Sequence, residues 1–256
     1  MPDHPTPAGE EDVIADEAIL ETIAQRILWL AVRMVDYANH DRENSDGLKV
    51  RGHQASSASM VRLMTALWFN YLNPEDRISV KPHSSPVLHA IWYLLGGLDE
   101  SYLTRLREFG GLQAYPSLSK DPDRVDFATG SVGLGATAPL FAAAARRYVD
   151  AHFGARPRSR FISLLGAAEL DEGNIWEAVS DPATSGLGDV LWIVDFNRQS
   201  LDRVVPGGRI GQWSQQFAAG GWHVREVKYG RLQEQAFQAP GGASLRHWID
   251  DVPNEQ

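Results

Sequence analysis

The chain has 256 residues and a net charge of −9, with 43% hydrophobic and 22% charged residues. This is enough chain to bury a large core, and the composition is that of a soluble globular protein. The absence of cysteine excludes disulfides, thiolate metal sites and a cysteine nucleophile. The absence of cysteine fits an intracellular protein, and we expect a cytoplasmic one. The acidic balance provides no general attraction to nucleic acid or an anionic membrane, so we expect the protein to bind neither.

The amino terminus carries three prolines and no basic start leading into an apolar stretch. It therefore predicts a disordered tail over residues 1–12 and no secretion signal. The remainder, 13–256, is predicted to form one domain, with amino-terminal helices over 13–110 and a core sheet region over 125–230.

Apolar side chains in the first half recur at steps of three and four, which is the spacing of one helix face. The first such stripe consists of Ile19, Ile23, Ile27, Leu30 and Met34. The predicted helices cover residues 13–37, 57–71, 86–95 and 134–149. Pro86 suits the first turn of the third helix, and the glycine pair after Leu95 suits its end.

Short apolar runs alternate with helix-like segments in the second half. The predicted strands cover 161–165, 190–196 and 224–227, and the helices between them cover 174–179 and 213–219. This alternation predicts an α/β fold, a parallel sheet flanked by helices, with an amino-terminal helical extension. Ligands of such sheets bind beyond the carboxyl ends of the strands.

Polar residues follow two of these predicted strands, over 166–174 and 195–202. Their separation is about one crossover unit, so we expect the two clusters to lie side by side. Asn197 and Gln199 are placed to offer oxygen ligands to a hard cation such as Mg²⁺. A polar strand-to-loop transition with an asparagine turn is the alternative.

A glycine-rich loop, 130–135, precedes the fourth predicted helix. Such a loop exposes backbone N–H groups to an anion or lets a flat ring approach closely. Its glycine spacing is not that of a dinucleotide fingerprint, and 126–129 is a poor strand, which disfavours a nicotinamide dehydrogenase. A loop that needs glycine only to turn is the alternative.

Two histidines, His53 and His83, lie in loops just before predicted helices. An imidazole there can exchange protons with a ligand near neutral pH, or it can simply be solvated. The histidine spacing predicts no zinc site, and no serine-hydrolase elbow is present.

Six ordered blocks between residues 52 and 229 resemble a known family. They are Gly52-His53-Gln54-Ala55-Ser56, His83-Ser84-Ser85-Pro86, Ala114-Tyr115-Pro116, Gly130 to Gly135, Leu165 to Asn174, and Asp195 to Asp202. Together they resemble the amino-terminal half of the homodimeric-type first component of pyruvate dehydrogenase, and more distantly transketolase. The resemblance implies the thiamine-diphosphate-binding fold, with thiamine diphosphate and Mg²⁺ as cofactors.

The resemblance also implies roles for individual residues. Mg²⁺ would be held by Asn197 through its side chain and by Gln199 through its backbone carbonyl. The implied cofactor-binding residues are Ser56, Ser131, Val132, Gly133, Gly166, Ala168, Glu169 and Asn197. The implied catalytic residues are His53 and His83, which would face the thiazolium and the substrate.

One residue departs from the family pattern. The family carries an aspartate that binds Mg²⁺ directly after Gly166, and this chain has Ala167 there. Because Mg²⁺ needs near-octahedral oxygen coordination, loss of an anionic ligand predicts weakened metal binding. The alanine is either natural to a degenerate subunit or introduced to disable it.

The family also continues into pyrimidine-binding and carboxy-terminal domains. The resemblance therefore implies a hetero-oligomer in which a partner subunit carries those domains. The implied activity moves a two-carbon unit from pyruvate or a ketose phosphate to a thiol, such as that of a lipoyl or acyl carrier protein. The alternative is a non-catalytic scaffold or regulatory subunit that has lost metal binding through Ala167.

Overall fold

The computed structural model describes residues 10–43, 45, 47, 50, 52, 54–130, 132–196, 199–200, 203–204 and 208–250. The helices are α1 (Glu10–Asp36), α2 (Gln54–Ala58), α3 (Val61–Ala66), α4 (Ser85–Leu94), α5 (Leu134–Phe153), α6 (Gly173–Ser180), α7 (Gly208–Ala219), α8 (Arg231–Gln238) and α9 (Gly242–Asp250). The strands are β1 (Arg77–Ser79), β2 (Phe161–Gly166), β3 (Val190–Asp195), β4 (Gln199–Ser200) and β5 (Arg203–Val204). Among these residues, no helix is both long enough and apolar enough to cross a membrane.

The main sheet is parallel and has the order β1-β2-β3. Phe161 of β2 lies opposite Arg77 on one side and Val190 on the other, and Gly166 lies opposite Asp195. Each crossover between these strands contains a helix, as parallel neighbours require. The predicted α/β class with a parallel sheet and an amino-terminal helix is confirmed. The strands β4 and β5 form a separate two-stranded antiparallel pair.

The central strand β2 is buried on both faces. Ile162 and Leu164 belong to the core formed with α1, α3 and α4. Leu165 points to a second core, which includes Ile175 of α6 and Trp213 of α7. Burial on both sides is why this strand appears in the sequence as a continuous apolar run.

The first helix, α1, begins at Glu10 and is followed by a π-helical turn, Tyr37–Asp41. Three members of its predicted stripe, Ile27, Leu30 and Met34, are buried. Ile19 is 59% exposed and adds little to the core. The apolar period therefore locates the helix correctly, while its packed face begins later than predicted.

The helix predicted over 57–71 is divided into α2, α3 and a π-helical turn, Leu67–Tyr71. The break lies at Ser59 and Met60. The Met60 N–H donates to the carbonyl of Ser57 at 3.0 Å, while the carbonyl of Ser56 accepts the hydroxyl of Ser84 at 3.0 Å. Serine hydroxyls compete with helical backbone bonding in this way. The same break places Ser59 at the end of the sheet where the polar residues meet.

The strand predicted over 224–227 is wrong, because residues 222–230 form neither helix nor strand. Val227 is 91% exposed, and no strand among the described residues pairs with this segment. An apolar run forms a strand only where a neighbour satisfies its backbone groups. Conversely, β1 was not predicted, because a three-residue strand shows no periodicity.

Candidate functional site

The carboxyl ends of β2 and β3 lie side by side, as the two polar clusters predicted. Gly166 and Asp195 are register partners at the last position of these strands. Directly after Gly166 the chain enters a 3₁₀ turn, Ala167–Asp171, and then α6. This edge is where an open parallel sheet binds its ligand.

A buried ion pair lies at this edge. Lys81, two residues after β1, has a side chain only 6% exposed, and its ammonium is 2.7 Å from Oδ2 of Asp195. The Ser59 hydroxyl donates to the same oxygen at 2.7 Å and accepts from Lys81 at 3.3 Å. We refer to Lys81, Asp195, Ser59 and the neighbouring Glu169 as the strand-end cluster.

Glu169 is buried in the 3₁₀ turn. Its Oε1 accepts the backbone N–H of Gly166 at 3.1 Å, while its Oε2 has no hydrogen-bond partner among the described residues. Desolvation raises the pKa of Glu169 to about 7, although the Gly166 N–H and the charge of Lys81 oppose the shift. Because buried polar atoms are normally paired, the free oxygen marks a position where a ligand donor can bind.

The glycine-rich loop adopts a conformation that requires glycine. Gly133 has φ +79°, and a Cβ there would lie 2.3 Å from Oδ1 of Asn174. Asn174, at the start of α6, donates to the backbone carbonyl of Val132 at 2.9 Å. The loop is thus held against the helix that follows the strand-end cluster, and Val132 is about half exposed.

His83 lies in the loop before α4 in a left-handed conformation, with φ 65°. Its carbonyl accepts the hydroxyl of buried Ser57 at 3.0 Å, and its Nε2 lies 3.3 Å from the hydroxyl of Tyr115. Non-glycine residues seldom adopt this conformation, and such strain is concentrated at functional sites. The phenol and the imidazole form a pair that can hold a proton between them.

The structure describes only part of the predicted site. The described members are Ser56, His83, Val132, Gly133, Gly166, Ala168 and Glu169. His53, Ser131 and Asn197 lie outside the described residues, and Gln199 is described only as backbone of β4. Ser56 lies beside the edge, because its carbonyl oxygen is 3.1 Å from the hydroxyl oxygen of Ser59. The roles of all these residues remain predictions.

Sequence reasoning did not assign roles to three residues that the structure brings to this edge. Asp195 and Asn174 stand within the two polar clusters, so their position after a strand was a usable signal. Lys81 had no such signal. A lone lysine is normally exposed, and only the fold shows that this one is buried.

The described residues do not suit Mg²⁺ at this edge. Ala167 has no side-chain oxygen, Asp195 is paired with an ammonium, and Glu169 has the raised pKa given above. Among the described residues, the group of three metal-ligating side chains that lies close together is His89, Asp121 and Asp123, which is elsewhere.

That second group, which we call the loop clamp, is enclosed by the protein, and Oδ1 of Asp123 has no hydrogen-bond partner among the described residues. His89 of α4 places Nδ1 2.8 Å from Asp123 and Nε2 3.4 Å from the carbonyl of Gln113, and all three ionisable side chains are fully buried. Desolvation lowers the pKa of His89, but the hydrogen bond and charge of Asp123 outweigh it, so the pKa is raised overall. Asp121 accepts two backbone N–H groups of the same loop. The clamp therefore fastens the 113–123 loop to α4.

A parallel sheet with helices on both faces and a partly unpaired charged cluster beyond its strands defines an α/β ligand-binding domain. Residues 49–243 match the family model described as "Transketolase, thiamine diphosphate binding domain". The chain belongs to this family, and the resemblance found in the sequence is confirmed.

Individual relatives agree with the family match. The "Pyruvate dehydrogenase E1 component" of Pseudomonas aeruginosa is 27% identical over 244 residues, covering 90% of this chain and 27% of the relative. Human "Transketolase" is 31% identical over 204 residues, covering 75% of this chain and 32% of the relative. The chain thus spans about a third or less of the length of these relatives.

Solved structures agree on the fold. A transketolase from Leishmania mexicana superposes with a TM-score of 0.69 at 22% identity, covering 93% of this chain and 35% of the other. A transketolase mutant from Pichia stipitis gives 0.71 at 22% identity, with the same coverage.

Proposed function

We propose that this chain is the diphosphate-binding subunit of a thiamine-diphosphate-dependent enzyme of the pyruvate dehydrogenase and transketolase kind. The observation that carries the proposal is the strand-end cluster. A chain from a thiamine diphosphate binding family holds a buried ammonium and an unpaired buried oxygen at the edge where such sheets bind ligands.

The residues at this edge suit a diphosphate joined to a flat ring. Lys81 supplies positive charge, and the 3₁₀ turn after Gly166 begins with backbone N–H groups beside Glu169. Next to α6, Gly133 has no side chain to obstruct the loop, and the Val132 carbonyl accepts the side-chain N–H of Asn174. Backbone groups presented in this way are suited to polar ring atoms.

In the proposed reaction, thiamine diphosphate supplies the carbanion chemistry when bound. The chain's own contribution is to orient the cofactor and to handle protons. His83 is the described candidate, because its Nε2 faces Tyr115 and can hold a proton shared with that phenol. His53 is its predicted companion.

The proposal also includes a partner. The activating glutamate of this family is implied to lie on a pyrimidine-binding domain, and we propose that a partner subunit contributes it. The donor would be pyruvate or a ketose phosphate, and the acceptor a thiol on a lipoyl or acyl carrier protein. The specific alternative favoured by Ala167 is a scaffold subunit that binds the partner but no cofactor.

Calorimetry of the full chain with thiamine diphosphate in Mg²⁺ buffer tests the proposal. We expect binding at one site, with thiamine lacking the diphosphate bound at least about tenfold more weakly, the scale of one lost charge-assisted hydrogen bond. The absence of binding heat, with and without a candidate partner subunit, would leave the scaffold alternative in its place.

A further inference from the structure

The position of Lys81 beside the end of β2 makes this edge chemically different from a Mg²⁺ site. A Cβ built on Gly166 would lie 3.5 Å from Cε of Lys81. The end of the lysine side chain therefore lies against Gly166, the residue immediately before Ala167, which is itself buried. The chain thus has a methyl group where the family aspartate is expected and a lysine side chain against the preceding residue.

The charges at this edge disfavour a divalent cation. The Lys81 ammonium repels Mg²⁺, although its partner Asp195 screens part of that charge. The carboxylate of Asp195, which is opposite Gly166 in the sheet, is already paired with Lys81. Glu169 points one oxygen at the Gly166 N–H, and that leaves a single unpaired oxygen. The described residues therefore provide a fixed cation rather than a cage for one.

Lys81 has capacity for a further acceptor. An ammonium donates three hydrogen bonds, and among the described residues two are used, to Asp195 and Ser59. Hydrogen bonds to those two partners fix the orientation of the amine. Asp195 is the last residue of β3, and Ser59 lies between α2 and α3. Lysine is a common binder of phosphate, which it contacts as a compact point charge.

We propose that the Lys81 ammonium replaces the divalent metal, so that this chain binds the diphosphate of thiamine diphosphate without Mg²⁺. The inference rests on the proposed function and deepens it. Asp195 and Ser59 are positioning residues that hold the amine toward the diphosphate. The competing explanation is an ion pair that only joins the ends of β1 and β3.

The direct test compares thiamine diphosphate binding by the wild-type chain in EDTA and in Mg²⁺, using calorimetry. We expect equal affinity in both buffers. A clear loss of affinity in EDTA would overturn this inference and leave the proposed function standing. No binding in either buffer would overturn both.

Variants identify the residue responsible. Lys81→Gln is expected to weaken binding in EDTA by about tenfold or more, the scale of one charge-assisted hydrogen bond, whereas Lys81→Arg retains most of it. Lys120→Gln removes an exposed lysine charge and is the matched control, with unchanged affinity. Wild-type affinity in Lys81→Gln would overturn the inference.

Lys81→Gln leaves Asp195 without its cation, so folding is checked by thermal unfolding. If the single variant unfolds, the double variant Lys81→Gln with Asp195→Asn is used instead, because two neutral amides keep the shape of the edge without a buried unpaired charge. A structural ion pair predicts that this double variant binds like the wild type, and that result would also overturn the inference. The double variant Lys81→Gln with Ala167→Asp should recover affinity in Mg²⁺ but not in EDTA.

Discussion

Two buried charged clusters in this chain are built from similar groups but have different structures. The loop clamp pairs a histidine with two aspartates, and all three side chains are fully buried. The strand-end cluster pairs a lysine with an aspartate whose side chain is 19% exposed, beside a glutamate with an unpaired oxygen. The first is closed by its own loop, and the second is open at the ligand edge of the sheet.

The difference shows how location decides the use of a buried charge. Removing a charge from water is expensive, so both clusters pair their charges internally, although each keeps one buried carboxylate oxygen without a partner among the described residues, Oδ1 of Asp123 and Oε2 of Glu169. What differs is access, because the clamp side chains are fully buried while Asp195 is partly exposed beyond the strand ends. We therefore expect substitutions in the loop clamp to act mainly on stability and those in the strand-end cluster mainly on binding.

The largest effect is expected at His89. His89→Ala leaves two buried carboxylates without their cation, and we expect it to lower the free energy of unfolding by roughly 3–5 kcal/mol. Urea unfolding followed by circular dichroism measures this loss.

Loss of volume also destabilises, so the double variant His89→Ala with Asp123→Ala separates charge from packing. If charge dominates, the double variant is destabilised by less than the sum of the two single variants. Additive losses would show that the clamp acts through packing alone.

The next largest effect on stability is expected in the backbone of the glycine-rich loop. Gly133→Ala places a methyl group in a left-handed conformation and against Asn174, so we expect a loss of about 1–3 kcal/mol in stability. Gly130→Ala is the matched control, because its Cβ would meet only Val132 at 3.9 Å. Equal stability of the two variants in urea would contradict the described loop conformation.

A pH-dependent effect is expected at Glu169, because burial raises its pKa to about 7. Between its ordinary pKa of about 4.3 and this value, the folded chain holds a proton that the unfolded chain has lost. Its contribution to stability is therefore complete below that window and falls as pH rises through it, by up to roughly 1.4 kcal/mol per pH unit.

Glu169→Gln removes this contribution, so its unfolding free energy should depend less on pH between 5 and 7, roughly the titration window of Glu169. The raised pKa of His89 acts in the same direction but is common to both proteins. Glu177→Gln, on the exposed side of α6, should retain the wild-type profile. Parallel wild-type and Glu169→Gln profiles would count against a protonated Glu169.

The smallest effect is expected at an exposed ion pair, whose coupling energy serves as the reference for the two buried clusters. Arg62 lies 2.7 Å from Glu21, with side chains 73% and 41% exposed. A double-mutant cycle with alanine at both positions should give a coupling energy of about 0–1 kcal/mol, reduced by salt. A coupling energy as large as that between His89 and Asp123 would show that burial does not explain why the buried pair is stronger than the exposed one.

Local features explain which parts of the fold were predictable. The β2 run, the α1 stripe and the glycine loop each depend on neighbouring residues in the chain, so periodicity and turn chemistry located them. The failures had nonlocal causes. Residues 224–227 have strand-like composition without a partner strand among the described residues. At the helix break, the Ser84 hydroxyl bonds the Ser56 carbonyl from 28 residues away, which periodicity cannot show.

The sequence by itself determined the α/β class and the family, and it predicted the edge of the sheet where a ligand site is expected, because ordered motifs follow apolar strands. It also determined that Ala167 lacks the family's metal ligand. Only the tertiary structure decided that Lys81 is buried there and paired with Asp195, 114 residues away. The physical reason is that a buried charge is tolerated only when the fold brings a partner to it, and a local sequence pattern cannot show a contact between residues so far apart in the chain.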